Sequence, residues 1–324
     1  MYEDQNDILK NTNLSKLANF PIVFFAVTMG LSGLALAYER LNLLFDISQI
    51  LGELLKWLTA ALFIVITVFY CLKFIRYPNA VRVEFAHPVR INFFAAFSIS
   101  LLLLAALFQE SKIYGFLLYG GLAVQTFLTL YVVAFWIQKE LLLTQSNHAW
   151  FIPIVGNLIV PLAAPTTSVF AWYYFSVGAF FWLVLFTIIF YRLIFHERLA
   201  QKFIPTLFIL IAPPSLAFSG LIKLTGEFSL VAQILLNLTL FFTLLILFMF
   251  KNFLKLKFFL SWWAFTFPTA AASIAFFRAF EMTGEKFWLA CAIAMFAALV
   301  FFVCFVGFYT IKAIFRREIC VMEK

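Results

Sequence analysis

The residues of this chain best suited to metal or nucleophilic chemistry are His87, His148 and His196, with Cys71, Cys291, Cys304 and Cys320. Their spacing supports neither. No CxxC or zinc-type pair occurs, and the histidines stand apart, in polar stretches between apolar runs, without the partners of a triad. A phosphate-cradling glycine loop and a nucleophile elbow are absent as well. Neither an enzyme, a cofactor nor a metal is expected. The chain has 324 residues, 65% hydrophobic and only 12% charged. A soluble domain is about half apolar and a quarter charged. The chemistry to look for is therefore passage across a membrane.

Passage needs a path and a gate, and the most informative stretch runs from Ser261 to Phe277. It is apolar enough to cross a bilayer, yet Pro268 sits in its middle. A proline removes a backbone hydrogen bond and kinks a helix. In a bilayer that is tolerated where protein or a water-lined cavity satisfies the freed group, so this helix is expected to face inward.

Ten runs approach the ~20 apolar residues a span requires. They lie near 20–38, 50–74, 90–108, 114–137, 149–165, 169–194, 205–222, 228–250, 258–280 and 287–313. The fifth is interrupted by Pro153, Pro161 and Pro165. Residues 1–19 are read as a cytoplasmic tail, 20–313 as a ten-helix transmembrane pore domain and 314–324 as a second cytoplasmic tail. The polar start lacks the basic region of a signal peptide, so the first span is expected to be kept. Seventeen of the 23 Lys and Arg residues fall on the side of the termini, which the positive-inside rule assigns to the cytoplasm. The net charge of +8 is thus spent on topology, and nucleic acid is not an expected partner; lipid is. Trp57, Trp136, Trp150, Trp172 and Trp288 lie near span ends, where interfacial anchors belong.

Prolines fall only in the odd spans and one loop. The first of each odd span is at Pro21, Pro88, Pro153, Pro205 and Pro268, and Pro78 is assigned to a loop. This period predicts five helical hairpins in tandem. The odd helices all run one way, and parallel repeats are related by an axis along the membrane normal. The expected fold is all-α: ten transmembrane helices in quasi-fivefold array, five inner kinked helices lining a central pore. Pro21, Pro88 and Pro205 are read as helix starts, and Pro161, Pro213, Pro214 and Pro268 as inner-helix kinks.

No Asp, Glu, Lys, Arg or His lies near the centre of any span. Coupled transporters usually keep such groups for proton relay or substrate pairing, whereas passive flow needs only a hydrated path and a gate. Hydroxyls on the odd spans, including Thr28, Ser32, Ser98, Ser100, Ser215, Ser219, Thr266, Thr269 and Ser273, are candidates to line that path or to bond between helices. Gln125, Gln233 and Asn237 are read as buried amides joining helices. Basic loops and the positive ends of five parallel helices favour anions at the cytoplasmic mouth.

Trp262-Trp-Ala-Phe-Thr-Phe-Pro268 in the ninth span resembles the tellurite-resistance protein A (TehA) and dicarboxylate transporter family. Phe20-Pro21 followed by Phe25-Ala-Val-Thr-Met-Gly30 resembles its first-helix motif, with Ala26 where relatives often have glycine. The family is similar in turn to the slow anion channel of plant guard cells. The resemblance implies a homotrimer in a bacterial inner membrane, one pore per protomer, occluded by a phenylalanine on the ninth helix. Carried onto this chain, that position is Phe267, with Ser273, Thr266 and Thr269 as candidate pore-lining residues. It implies chloride, nitrate, tellurite, sulfite or dicarboxylates as permeant anions, carried by a channel or alternatively by a secondary exporter. Residue types alone single out none of the 46 phenylalanines.

Overall fold

The computed structural model describes residues 16–166 and 168–320. The expectations for Lys10, Lys324, most of the 1–19 tail and the end of the 314–324 tail fall outside them. Among the described residues every regular element is helical. Nine helices of the described residues are long and apolar enough to cross a membrane: α1 (Ile22–Phe45), α2 (Gln49–Arg76), α4 (Arg90–Leu107), α5 (Tyr114–Gln138), α7 (Val169–Phe195), α8 (Gln201–Thr225), α9 (Leu230–Phe248), α10 (Leu260–Thr283) and α11 (Lys286–Phe315). A tenth apolar helix, α6 (His148–Ala163), is shorter. One more, α3 (Pro78–Ala86), starts on Pro78, which therefore opens a helix rather than lying in a loop. The chain is a multi-pass membrane protein.

Burial divides the spans in two. In α1, α4, α8 and α10, 78–89% of the most apolar stretch is buried in protein, against 22–44% in α2, α5, α7, α9 and α11. Every residue of α6 from Phe151 to Pro161 is buried. At its helical rise α6 covers roughly 26 Å, short of the ~30 Å hydrocarbon core. It meets protein rather than lipid, so its length is not set by the bilayer. The buried helices touch in a closed ring: α1 on α4, α4 on α6, α6 on α8, α8 on α10, and α10 back on α1. Each also packs against the outer helix that follows it in the chain.

The ring helices share a second feature. Each opens in 3₁₀ geometry, over Ile22–Phe24, Arg90–Phe94, His148–Trp150, Gln201–Ile211 and Leu260–Phe265, before becoming α-helical. No outer helix opens so. Pro213 and Pro214 are the second and third residues of the α-helical part of α8, and Pro268 is the third of α10. Hydrogen bonding changes register there, so a missing N–H costs least. Pro161 stands apart, inside the α-helical part of α6. At their far ends α8 and α10 stop on Gly226 and Gly284, both at φ 72°, the left-handed cap that glycine adopts without a Cβ penalty.

Small residues set how closely the ring closes. A Cβ on Gly33 of α1 would lie 2.7 Å from the Ala270 Cβ of α10, so the two helices meet at backbone distance. Gly156 of α6 makes room for the Gln125 amide. Gln125 on α5 accepts from the Ser98 hydroxyl at 2.7 Å and donates to the Pro153 carbonyl at 2.7 Å. It joins one outer and two ring helices, as read from the sequence. Gln233 and Asn237 do not: both are exposed on α9, and Asn237 donates only to the Gln233 carbonyl one turn back. Two tryptophans also differ from expectation. Trp57 and Trp172 are exposed, but Trp150 and Trp288 are buried, stacked on Trp136 and Phe276.

Candidate pore and gate

The ring helices place their opening turns around an internal cavity of about 50 Å³. Its wall takes Val23, Ala26 and Met29 from α1, Phe93, Ala96 and Ile99 from α4, and Ile152 and Val155 from α6. Thr206, Ile209 and Ala212 come from α8, and Leu260, Ser261, Trp263, Ala264, Phe267 and Pro268 from α10. Spacing by three dominates, running from the 3₁₀ openings into the first α-helical turns, since residues i and i+3 share a face in both geometries. That period at the start of each odd span is the sequence signal that would have found these residues.

The polar groups of the wall are already committed, the Trp263 indole to the Thr310 hydroxyl at 3.0 Å. The Ser261 hydroxyl donates to the Lys202 carbonyl and that of Thr206 to the Phe203 carbonyl, both at 2.6 Å. A cavity with room for water but no free polar partner stays dry. Phe267 and Pro268 lie at the deep end of the α10 wall, where the 3₁₀ opening has given way to α-helix. Phe267 is 7% exposed, and its Cδ2 would lie 3.4 Å from a Cβ on Gly33. The aromatic ring rests on α1 at Gly33, where no side chain intervenes.

Thr266, Thr269 and Ser273 are fully buried, and none is in the cavity wall. Thr266 donates to the Trp263 carbonyl at 2.7 Å and faces Gly30 of α1. Thr269 donates to the Phe265 carbonyl at 2.6 Å. Ser273 reaches outward, to the Ala292 carbonyl of α11 at 3.1 Å. Two other ring hydroxyls, Ser32 and Ser219, are buried without a partner.

Beyond Phe267, towards the C-terminal ends of the ring helices, Arg40 (α1), Lys223 (α8) and Arg278 (α10) come close enough to repel one another. One carboxylate is within ion-pair reach, Glu281 at 3.7 Å from Arg40. Lys223 is fixed by two carbonyls at the end of α6, Leu162 at 2.7 Å and Ala164 at 2.8 Å. The clustering of these three cations required the ring.

A closed ring of buried helices around a dry cavity, sheathed by lipid-facing helices, defines a multi-pass α-helical membrane protein with an internal, charge-free core. The sequence pattern of the SLAC1 family, described as voltage-dependent anion channel, matches residues 19–311, and the chain belongs to that family. The resemblance read from the ninth span is thereby borne out, and the family is one of channels, not enzymes. The S-type anion channel SLAH2 of Arabidopsis thaliana is 28% identical over 94% of this chain and 61% of its own length. SLAH3 of the same plant is 31% identical over 81% of this chain and 43% of its own. A tellurite resistance protein TehA homolog of Haemophilus influenzae is 26% identical over 69% of this chain and 70% of its own. This chain thus spans about half the length of the plant relatives it matches.

Proposed function

We propose that this protein is an anion channel whose conducting path is the axis of the five ring helices, closed at rest by Phe267. The observation that carries the reading is the apolar cavity walled by all five of them, with Phe267 at its deep end. The five tandem hairpins form a quasi-fivefold array, and the 3₁₀ openings and Pro161, Pro213, Pro214 and Pro268 shape the ring. An apolar ring across a narrow path stops ions by dewetting. The path holds no fixed charge, so selection among small anions is weak and follows dehydration cost. The cluster of Arg40, Lys223 and Arg278 raises the local anion concentration at one mouth, and the basic loops do so at the other. Thr266, Thr269 and Ser273 hold α10 in place, and the free hydroxyls of Ser32 and Ser219 are the ones available to water when the path opens.

The basic-residue asymmetry supports cytoplasmic termini, and the Haemophilus relative supports a bacterial inner membrane. Chloride, nitrate, tellurite and dicarboxylates are the candidate anions, on the printed names of the relatives and the family resemblance; a homotrimer follows from that resemblance. The test is current across reconstituted bilayers under an asymmetric chloride gradient, with and without Phe267→Ala. The wild type is nearly silent and the variant conducts, reversing near the chloride potential. Silence of both, with saturable uptake of labelled anion, would replace the channel by an exporter.

A further inference from the structure

A second cavity, of about 200 Å³, lies off the ring axis and shares no residue with the first. Its wall comes from the end of α7, the segment before α6, the turn leading into α8, and Val89 just before α4. The polar residues in it are Thr144, Gln145, Asn147, Arg192, Glu197 and Arg198. At several times the ~30 Å³ share of one water, it can take a small polyatomic group. Neither α1 nor α10 reaches it.

Arg192 is the unusual member. It is 5% exposed, and its Nε and Nη1 are buried with no acceptor. An unpaired buried guanidinium is costly, because the desolvated charge gains nothing in return. The ordinary account is that a basic residue in the last turn of a helix answers the helix dipole or snorkels to water. Neither accounts for Nε and Nη1: only the third nitrogen, Nη2, is left to reach the cavity, and no carbonyl at the end of α7 accepts from the other two. Glu197 lies close enough for its charge to favour the Arg192 cation, but no ion pair joins the two and Glu197 is exposed at the rim. Next to Asn147, His148 is fully buried with both ring nitrogens unpartnered, and it lies close enough to feel the Arg192 charge. Arg198 adds a second, exposed cation. With Glu197 counted, the wall is net positive.

We propose that this cavity is a binding site for an oxoanion group of the phosphate or sulfate type, with Arg192 as its principal donor and Arg198 at its rim. The guanidinium suits that chemistry, presenting several N–H donors in fixed geometry to the oxygens of a phosphoryl or sulfuryl group. Thr144 and Gln145 stand at the rim to complete the shell. The site adjoins the opening turns of α6 and α8, whose later residues Ile152, Val155, Thr206 and Ile209 wall the axial cavity. The proposal goes beyond conduction and is tested without current, so a silent pore does not bear on it.

The experiment is calorimetric titration of the purified full chain in detergent with sodium phosphate and with sodium sulfate. Chloride at matched ionic strength is the control. The expected result is one saturable site per chain for phosphate or sulfate. Arg192→Met weakens it at least tenfold, and Arg198→Gln weakens it by a smaller factor. Arg192→Met leaves no acceptor unpaired, so it folds, and its thermal midpoint without phosphate equals or exceeds that of the wild type. A structural arginine would give the opposite. If the group arrives on a phospholipid, native mass spectra of the wild type retain lipid that added phosphate displaces and Arg192→Met lacks. If it is free phosphate, no lipid is retained and the titration alone reports it. Equal responses of wild type and Arg192→Met would overturn the proposal. So would the absence of phosphate, sulfate and retained lipid together.

Discussion

Glu84→Ala is the substitution whose cost can be worked most directly from the structure. Glu84 sits on α3, outside the spans, yet is 5% exposed, and its partner Lys73 on α2 is 3% exposed. The carboxylate accepts the Lys73 ammonium at 2.6 Å, the Tyr70 hydroxyl at 3.0 Å and the Ile22 backbone N–H at 3.0 Å. Lys73 also donates to the Phe20 carbonyl at 2.8 Å. One ion pair therefore ties α2 and α3 to the first turn of α1, whose Val23 walls the cavity. Removing the carboxylate strands two neutral donors, at about 1–3 kcal/mol each if they stay dry. It also leaves an ammonium with a single carbonyl, and breaking a buried pair from one side costs about 3–5 kcal/mol. These contributions overlap, so the expected loss is about 3–5 kcal/mol rather than their sum. Lys73→Met should fall in the same range, because it leaves the carboxylate unpaired. The double variant Lys73→Met/Glu84→Ala should cost less than the sum of the two single variants, because it no longer leaves an unpaired buried charge, but it should keep the loss from the stranded Tyr70 hydroxyl and Ile22 N–H. The assay is reversible unfolding in detergent, followed by tryptophan fluorescence, for the two single variants and the double. A Glu84→Ala cost below about 1 kcal/mol, the range of exposed pairs, would refute the reasoning. Additive losses in the double variant would refute it equally.

Two further outcomes follow from close contacts in the ring. Gly33→Ala brings its new methyl to 2.7 Å from the Ala270 Cβ and 3.4 Å from Phe267 Cδ2, and neither helix can yield without shifting. A loss of about 1–3 kcal/mol, the usual cost of overpacking, should appear as a lower thermal midpoint, and an unchanged midpoint would mean that α1 and α10 are not held together there. Gln125→Leu removes bonds to Ser98 and Pro153, but Ser98 keeps the Ala95 carbonyl and Pro153 keeps the Asn157 amide, so the loss should be about 1–3 kcal/mol, the net worth of two hydrogen bonds, measured by the same unfolding assay. A neutral result would mean that water takes the place of the amide.

The spans, their number to within the short α6, and the distinction between odd and even helices were legible in the chain. Apolar runs of bilayer length must become helices, because lipid offers no partner for a bare backbone. Proline then marks the helices that neighbouring protein, not lipid, surrounds. Pro268 and its flanking aromatics also carried the family resemblance. Other features depended on the register between helices, which no local pattern encodes. Whether Ser273 turns to the axis or to the Ala292 carbonyl is decided by the packing of α10 on α11. Gln125 proved buried and Gln233 exposed although both lie in equally apolar runs, because only α5 presents its amide to two ring helices. The cluster of Arg40, Lys223 and Arg278 and the buried cation of Arg192 needed residues far apart in sequence to be brought together. Sequence thus determined which segments are helices and which of them are buried, since both follow from transfer between water, lipid and protein. Only the tertiary structure decided which side chains meet, because a helix offers every face and its neighbours choose among them.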